Sequence, residues 1–211
     1  MLLAKLTKAH IHIAHVSSEY SLKIIEMGKK EGINITCEAT PHHFSFSDDE
    51  ILKNAYDTNF KMSPPLREIS DVKAVREALK SGLIDVIATD HAPHHTDEKI
   101  VEFDKAPFGI IGLQTLVPLT LKLVNEGVIS LERMVELTST NAAKMLNLKD
   151  KGRLAEGMLA DIAVIDPEIE YVYDEKINRS KSVNSPLFGK KLKGAATTTI
   201  KSGKIVYEFG K

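Results

Sequence analysis

The order of apolar and polar positions changes character twice along this chain. From Ile11 to Thr89, short apolar runs alternate with segments whose apolar residues recur at helical spacing. Ile11-His-Ile-Ala-His-Val16, Ile33-Asn-Ile-Thr-Cys-Glu-Ala39 and Leu83 to Thr89 predict three strands. Ser18 to Gly32 predicts a helix that buries Leu22, Ile25 and Met27 and stops at Gly32. Ser47-Asp-Asp-Glu50 has the spacing of a capping box and predicts a short helix. Ser70 is placed to cap a longer helix carrying Val72, Val75 and Leu79, closed by Gly82. Near-continuous apolar strands alternating with helices predict an α/β fold with a parallel sheet covered on both faces.

From Gly112 the spacing is helical throughout. It predicts helices over Leu113 to Asn125 and Ser130 to Thr138, and a third ending near Leu148. After Lys149 the pattern changes again. Gly152-Arg-Leu-Ala-Glu-Gly157 is turn-rich, and Ala160-Asp-Ile-Ala-Val-Ile-Asp166-Pro predicts a short strand. Thr197 to Lys201 and Lys204 to Phe209 flank Ser202-Gly203, a hairpin signal. Residues 1–149 are therefore expected to form a βα region, and 150–211 a small, sandwich-like β module.

Composition narrows the classes. The 211 residues are 43% hydrophobic and 27% charged, ordinary for a globular protein. A net charge of −1 favours neither nucleic acid nor an anionic membrane surface as partner. The one cysteine, Cys37, excludes an intrachain disulfide and fits a reducing compartment. Its apolar setting predicts a small core residue. No apolar run approaches the ~20 residues that span a bilayer, and the charged N-terminus lacks a signal-peptide pattern. A cytoplasmic location is expected.

Candidate chemistry gathers at predicted strand ends. The third strand runs straight into Asp90, followed by His91-Ala-Pro-His94-His95. His15 closes the first strand. In parallel sheets, functional side chains collect at the C-terminal ends of strands, so these two are expected in one crevice. Imidazole and carboxylate are both ligands for a zinc-type ion. His10 and His12 share one strand face, which alternation puts opposite His15, and they are expected to pack or lie partly exposed. Thr40-Pro-His42-His43 either supplies a ligand or shapes its loop. Met62-Ser-Pro-Pro-Leu-Arg67 is a rigid turn that presents Ser63, with Arg67 as a loop anchor. The charged stretch Asp97 to Lys105, closed by Ala106-Pro-Phe-Gly109, is expected to be a mobile lid.

Several of these segments together resemble bacterial dihydroorotase. They are His12-Ile-Ala-His-Val-Ser-Ser, Cys37-Glu-Ala-Thr-Pro-His-His, Lys61-Met-Ser-Pro-Pro-Leu-Arg, Ala88-Thr-Asp-His-Ala-Pro-His and Ala106-Pro-Phe-Gly-Ile-Ile-Gly-Leu-Gln-Thr. The tail, Gly152 to Asp166 and Asn184-Ser-Pro-Leu-Phe-Gly189, is similar too, and its first part is shared across the amidohydrolase superfamily. The resemblance implies the C-terminal part of a (β/α)8 TIM-type barrel with an appended small β domain. It implies zinc-dependent, reversible hydrolysis of the cyclic amide of dihydroorotate to carbamoyl aspartate, in pyrimidine synthesis. By motif, His15 is a zinc ligand, and Asp90 is a ligand of the second zinc and the general acid/base. His94 and the Phe108-Gly109 backbone contact the substrate, as does Ser63.

The match carries two departures. Ser63 stands where the family usually has asparagine, and serine in that turn is similar to hydantoinases and dihydropyrimidinases. The family's His-x-His pair, its bridging carboxylate and a further histidine lie upstream of the stretch matching Met1. The resemblance thus implies about the last three barrel strands, an incomplete ligand set, and inactivity without an N-terminal half. Exposed strand edges imply self-association, and the family suggests aspartate carbamoyltransferase as a partner. Two alternatives stand: a hydantoinase- or allantoinase-like cyclic amidohydrolase, and a non-catalytic dihydroorotase-like subunit.

Overall fold

The computed structural model describes all 211 residues, whose strands form two separate three-stranded sheets. The first sheet holds β1 (Ile11–Ile13), β2 (Ile35–Ala39) and β3 (Val86–Ile87), in that order and all parallel. These strands are shorter than the apolar runs that predict them, but the ladder continues irregularly beyond them. Val16 N–H donates to Glu38 O at 2.8 Å, and Ala88 N–H to Ala39 O at 3.1 Å.

Helix α1 (Leu2–Thr7) precedes the sheet, and α2 (Glu19–Lys30) links β1 to β2. Ser18 caps α2 by accepting from Ser21 N. Leu22 and Ile25 are buried as expected, but Met27 is exposed and Gly28 is buried in its place. Two residues on from Ile25 is about 200° around a helix, whereas three residues on returns to the same side. Beyond β2 come α3 (Pro41–Ser45), α4 (Asp49–Lys53), a 3-10 turn (Thr58–Phe60) and α5 (Ile69–Ser81). The Ser47 capping box does not form, since Asp48 takes the cap position of α4 without a side-chain bond. Ser70 lies inside α5 rather than capping it, and Glu68 occupies the cap. Val72, Val75 and Leu79 are buried, and Gly82 closes α5.

A short α6 (Thr96–Lys99) follows β3, and then α7 (Leu116–Asn125) and α8 (Leu131–Val135). The last two predicted helices are one continuous run. A π-helical turn over Glu136–Thr140 joins α8 to α9 (Asn141–Met145).

The second sheet is antiparallel, in the order β4 (Ile162–Val172), β5 (Lys191–Lys201), β6 (Lys204–Glu208). Strand β4 runs past Pro167, where a short strand was expected to end. Pro167 is tolerated because β4 is an edge strand whose register shifts between Asp166 and Glu170. Ser202 and Gly203 both take positive φ in the tight turn before β6. Gly194 brings β5 against α7: a Cβ there would lie 2.3 Å from Leu121 Cδ1.

The main core joins the first sheet to α2, α5, α7 and α8, with Cys37, Val75, Leu79, Ile84 and Leu137 fully buried. Each such aliphatic side chain contributes about 1.5–3 kcal/mol on burial. A smaller cluster of Phe60, Met62, Leu66 and Ile110 sits beneath the loops that follow β2 and β3. No helix is long and apolar enough to cross a membrane.

Candidate functional site

Strand β1 ends at Ile13, and two residues later His15 adopts a left-handed backbone, φ 53°. Asp90, just past β3, does the same at φ 47°. Such conformations are costly for side chains with a Cβ and persist where the surroundings enforce them, often at functional sites. The two residues face each other: His15 Nε2 lies 3.4 Å from Asp90 Oδ1, with about a quarter of each side chain exposed.

Glu38 of β2 completes the group. Its Oε1 stands 2.9 Å from His15 Nδ1, off the line of a full hydrogen bond, and its Oε2 is 3.0 Å from His12 Nε2. The expectation that His10 and His12 face away from His15 is therefore wrong. Alternation holds only while the backbone stays extended, and the left-handed turn at His15 swings its ring to the His12 side. Thr36, in register with His12, bonds both His10 Nε2 and His12 Nδ1 at 2.8 Å.

The segment Thr40 to His43 is the start of α3, not a loop. Thr40 caps it, accepting from His43 N and bonding His43 Nδ1 at 2.9 Å. The other ring nitrogen of His43 bonds Pro64 O at 2.9 Å, holding the turn that carries exposed Ser63. Arg67 anchors that turn to the connection between β1 and α2, donating from Nε to Ser17 Oγ at 3.3 Å. Burial lowers the pKa of His43. Its neighbour His42 is fully buried, and burial and then His43 push its pKa down to about 3.

The loop from His91 to Gly109 carries local structure of its own. His95 caps α6 with a capping box completed by Glu98. The charged run hides one of its own members: Lys99 is 6% exposed, and its ammonium donates to Pro107 O at 2.9 Å and Gly109 O at 3.3 Å. Burial, then the nearby Lys61, lowers its pKa to about 8. His94 Nε2 bonds Phe108 O at 2.9 Å, so these two predicted substrate contacts lie together. A Cβ on Gly109, at φ 147°, would come 2.9 Å from the His94 ring. Asn184 escaped sequence reasoning as a site residue. Buried at the far end of the chain, it accepts from His94 N at 3.1 Å and donates to Ala92 O at 2.9 Å and Gly109 O at 3.1 Å. Its one signal was the Asn-Ser-Pro-Leu-Phe-Gly string, which carries no role on its own.

The donor set can be tested against a metal. The resemblance gives His15 and Asp90 to two different zinc ions, and imidazole and carboxylate are both donors that zinc accepts. At 3.4 Å apart, the two donors are close enough to serve neighbouring ions of a two-metal site. Glu38 beside His15 Nδ1 is the kind of outer partner that orients a metal-bound imidazole. The fit stops at two residues, because no group of three or more His, Cys, Asp or Glu is placed to hold an ion. A cavity of about 530 Å³ beside Arg179 and Tyr207 belongs to the second sheet and is not lined by His15, Glu38 or Asp90.

Comparison with known proteins gives consistent matches. The chain is 52% identical to a dihydroorotase of Geobacter metallireducens over 206 residues, covering 98% of this chain and 48% of the relative. It is 47% identical to a dihydroorotase of Endomicrobium trichonymphae, covering 99% and 49%. Among solved structures, L-hydantoinase (dihydropyrimidinase) from Arthrobacter aurescens superposes with a TM-score of 0.92 at 31% identity. Dihydropyrimidinase from Brevibacillus agri does so with 0.91 at 25%. Both matches cover 100% of this chain and 47% of the other. The chain thus spans about half the length of the relatives it matches, and its first sheet with the surrounding helices is part of a TIM-type barrel. The amidohydrolase family profile matches residues 1–206, and the chain belongs to that family.

Proposed function

We propose that this chain carries part of the catalytic rim of a dihydroorotase, which hydrolyses the cyclic amide of dihydroorotate to carbamoyl aspartate and reverses the reaction in pyrimidine synthesis. The observation that carries the reading is the opposition of His15 and Asp90 at 3.4 Å, in a chain half identical to dihydroorotases. Amidohydrolases are generally metal-dependent. His15 would hold one of the two zinc ions of the complete site and Asp90 the other, each jointly with ligands from outside this chain. When bound, zinc supplies a water whose pKa falls from near 16 to ~7.

Asp90 takes the proton released as the water oxygen attacks the ring carbonyl. It returns that proton to the ring nitrogen as the C–N bond breaks. His94, the Phe108-Gly109 backbone and Ser63 bind and orient the substrate. Glu38 steadies the His15 ring. In this reading residues 1–149 are the barrel part and 150–211 a β module, the protein is cytoplasmic, and exposed strand edges let it self-associate or engage aspartate carbamoyltransferase.

The test is a chimera in which this chain replaces the matched part of the Geobacter metallireducens dihydroorotase. We expect dihydroorotate hydrolysis, and a fall of about 10²–10⁴-fold in kcat for Asp90→Asn. Ser63 and the hydantoinase superpositions favour a second reading. Turnover of hydantoin or dihydrouracil without dihydroorotate would establish that one and overturn the first.

A further inference from the structure

Lys99 is a lysine the fold had no local reason to hide. A buried ammonium costs free energy unless something compensates it, and no carboxylate lies within ion-pairing distance of Lys99. Its polar neighbours are backbone carbonyls, and the charged groups facing it are Lys61, which opposes its charge, and Asp57, which favours it. Its own carbonyl is fixed, accepting from Thr58 Oγ1 at 2.6 Å.

The compensation goes to one short stretch of backbone. Pro107 O accepts from Lys99 Nζ, and Phe108 O from His94 Nε2. Gly109 N–H donates to Lys61 O at 2.9 Å, and Gly109 O accepts from both Lys99 and Asn184. The Lys61 ammonium donates to Asp104 O at 2.8 Å and lies 4.7 Å from the centre of the Phe108 ring. Of the peptide groups of Phe108 and Gly109, only the Phe108 N–H has no partner within the protein.

We propose that Lys99 is a positioning residue for substrate binding, fixing the Pro107–Gly109 backbone so that the free Phe108 N–H is offered to the substrate. The proposal rests on the dihydroorotase reading for its ligand, but its geometry does not. The lowered pKa limits the cost of burying the amine, and its donors reach two carbonyls.

Lys99→Met keeps the length and removes the donors. In this chain, hydrogen exchange should quicken at least tenfold in residues 106–110, with β2 and α5 unchanged. In the Geobacter metallireducens chimera the same variant should raise KM for dihydroorotate at least tenfold while kcat stays within threefold. Unchanged exchange over 106–110 would overturn the proposal, as would a loss carried by kcat with KM constant. Exchange that quickens across the whole chain would also overturn it, showing Lys99 to be a general stabiliser. If the unmodified chimera fails to turn over dihydroorotate, the functional reading fails, and the exchange experiment still decides the role of Lys99.

Discussion

Two non-glycine residues in left-handed conformation, His15 and Asp90, meet across 3.4 Å. Sequence marked both as strand-end residues, Asp90 because an apolar run stops at it and His15 because it stands near the end of its strand. It could not mark Glu38, which reads as one polar position inside an apolar strand, nor its contact with both His12 and His15. Beside the pair, His42 gives a pH prediction. Its folded pKa is about 3, against 6.5 for an ordinary histidine. As pH falls below 6.5 the unfolded chain takes up a proton that the folded chain refuses, so stability is full above that pH and is lost toward pH 3. Urea unfolding at a series of pH values should show a loss on the order of a few kcal/mol across that window. His42→Phe should flatten this slope, whatever constant offset the larger ring adds. An unchanged slope would mean that His42 is not the responsible group.

At the scale of elements, α3 shows how a short helix can steer a site it does not itself form. Thr40 is fully buried, caps α3 and holds His43, which holds the Ser63 turn through Pro64. Thr40→Val keeps the shape and removes both hydrogen bonds. It should cost about 1–3 kcal/mol, because the buried Nδ1 of His43 loses its partner. Chemical denaturation measures this, and a cost within experimental error would contradict the arrangement. The helix was hidden in the sequence because five residues give too little periodicity to register. The missed cap at His95 and the false ones at Ser47 and Ser70 have a related cause. Capping depends on where the backbone leaves the helix, and tertiary packing decides that.

For the whole molecule, the parallel sheet β1-β2-β3 ends at β1 on one side and on the other meets only the single parallel bridge of His91 with Ile110, and Leu2, Leu3 and Leu6 of α1 are largely exposed. Open parallel edges with apolar neighbours invite pairing. Light scattering of the purified chain should show a mass that rises with concentration, and a strict monomer at high concentration would count against it. Zinc binding by the isolated chain should be weak, because stable zinc sites use three or four protein ligands and His15 and Asp90 provide two. Calorimetry showing tight, stoichiometric zinc would overturn that expectation. The second sheet meets the barrel part where Gly194 of β5 touches Leu121 of α7. This contact joins segments that the periodicity of neither one predicts.

By itself the sequence determined the alternation of strand and helix, the parallel character of the first sheet, the hairpin at Ser202-Gly203 and the strand-end placement of His15 and Asp90. These follow from hydrophobic period and turn chemistry, which act over a few residues. The tertiary structure alone decided that His12, His15 and Glu38 share one cluster and that Lys99 turns inward from a charged run. It also decided that Asn184 reaches back 92 positions to hold Ala92 beside the His94 loop. Such contacts arise when distant segments are packed together and their polar groups, cut off from water, must find partners in each other.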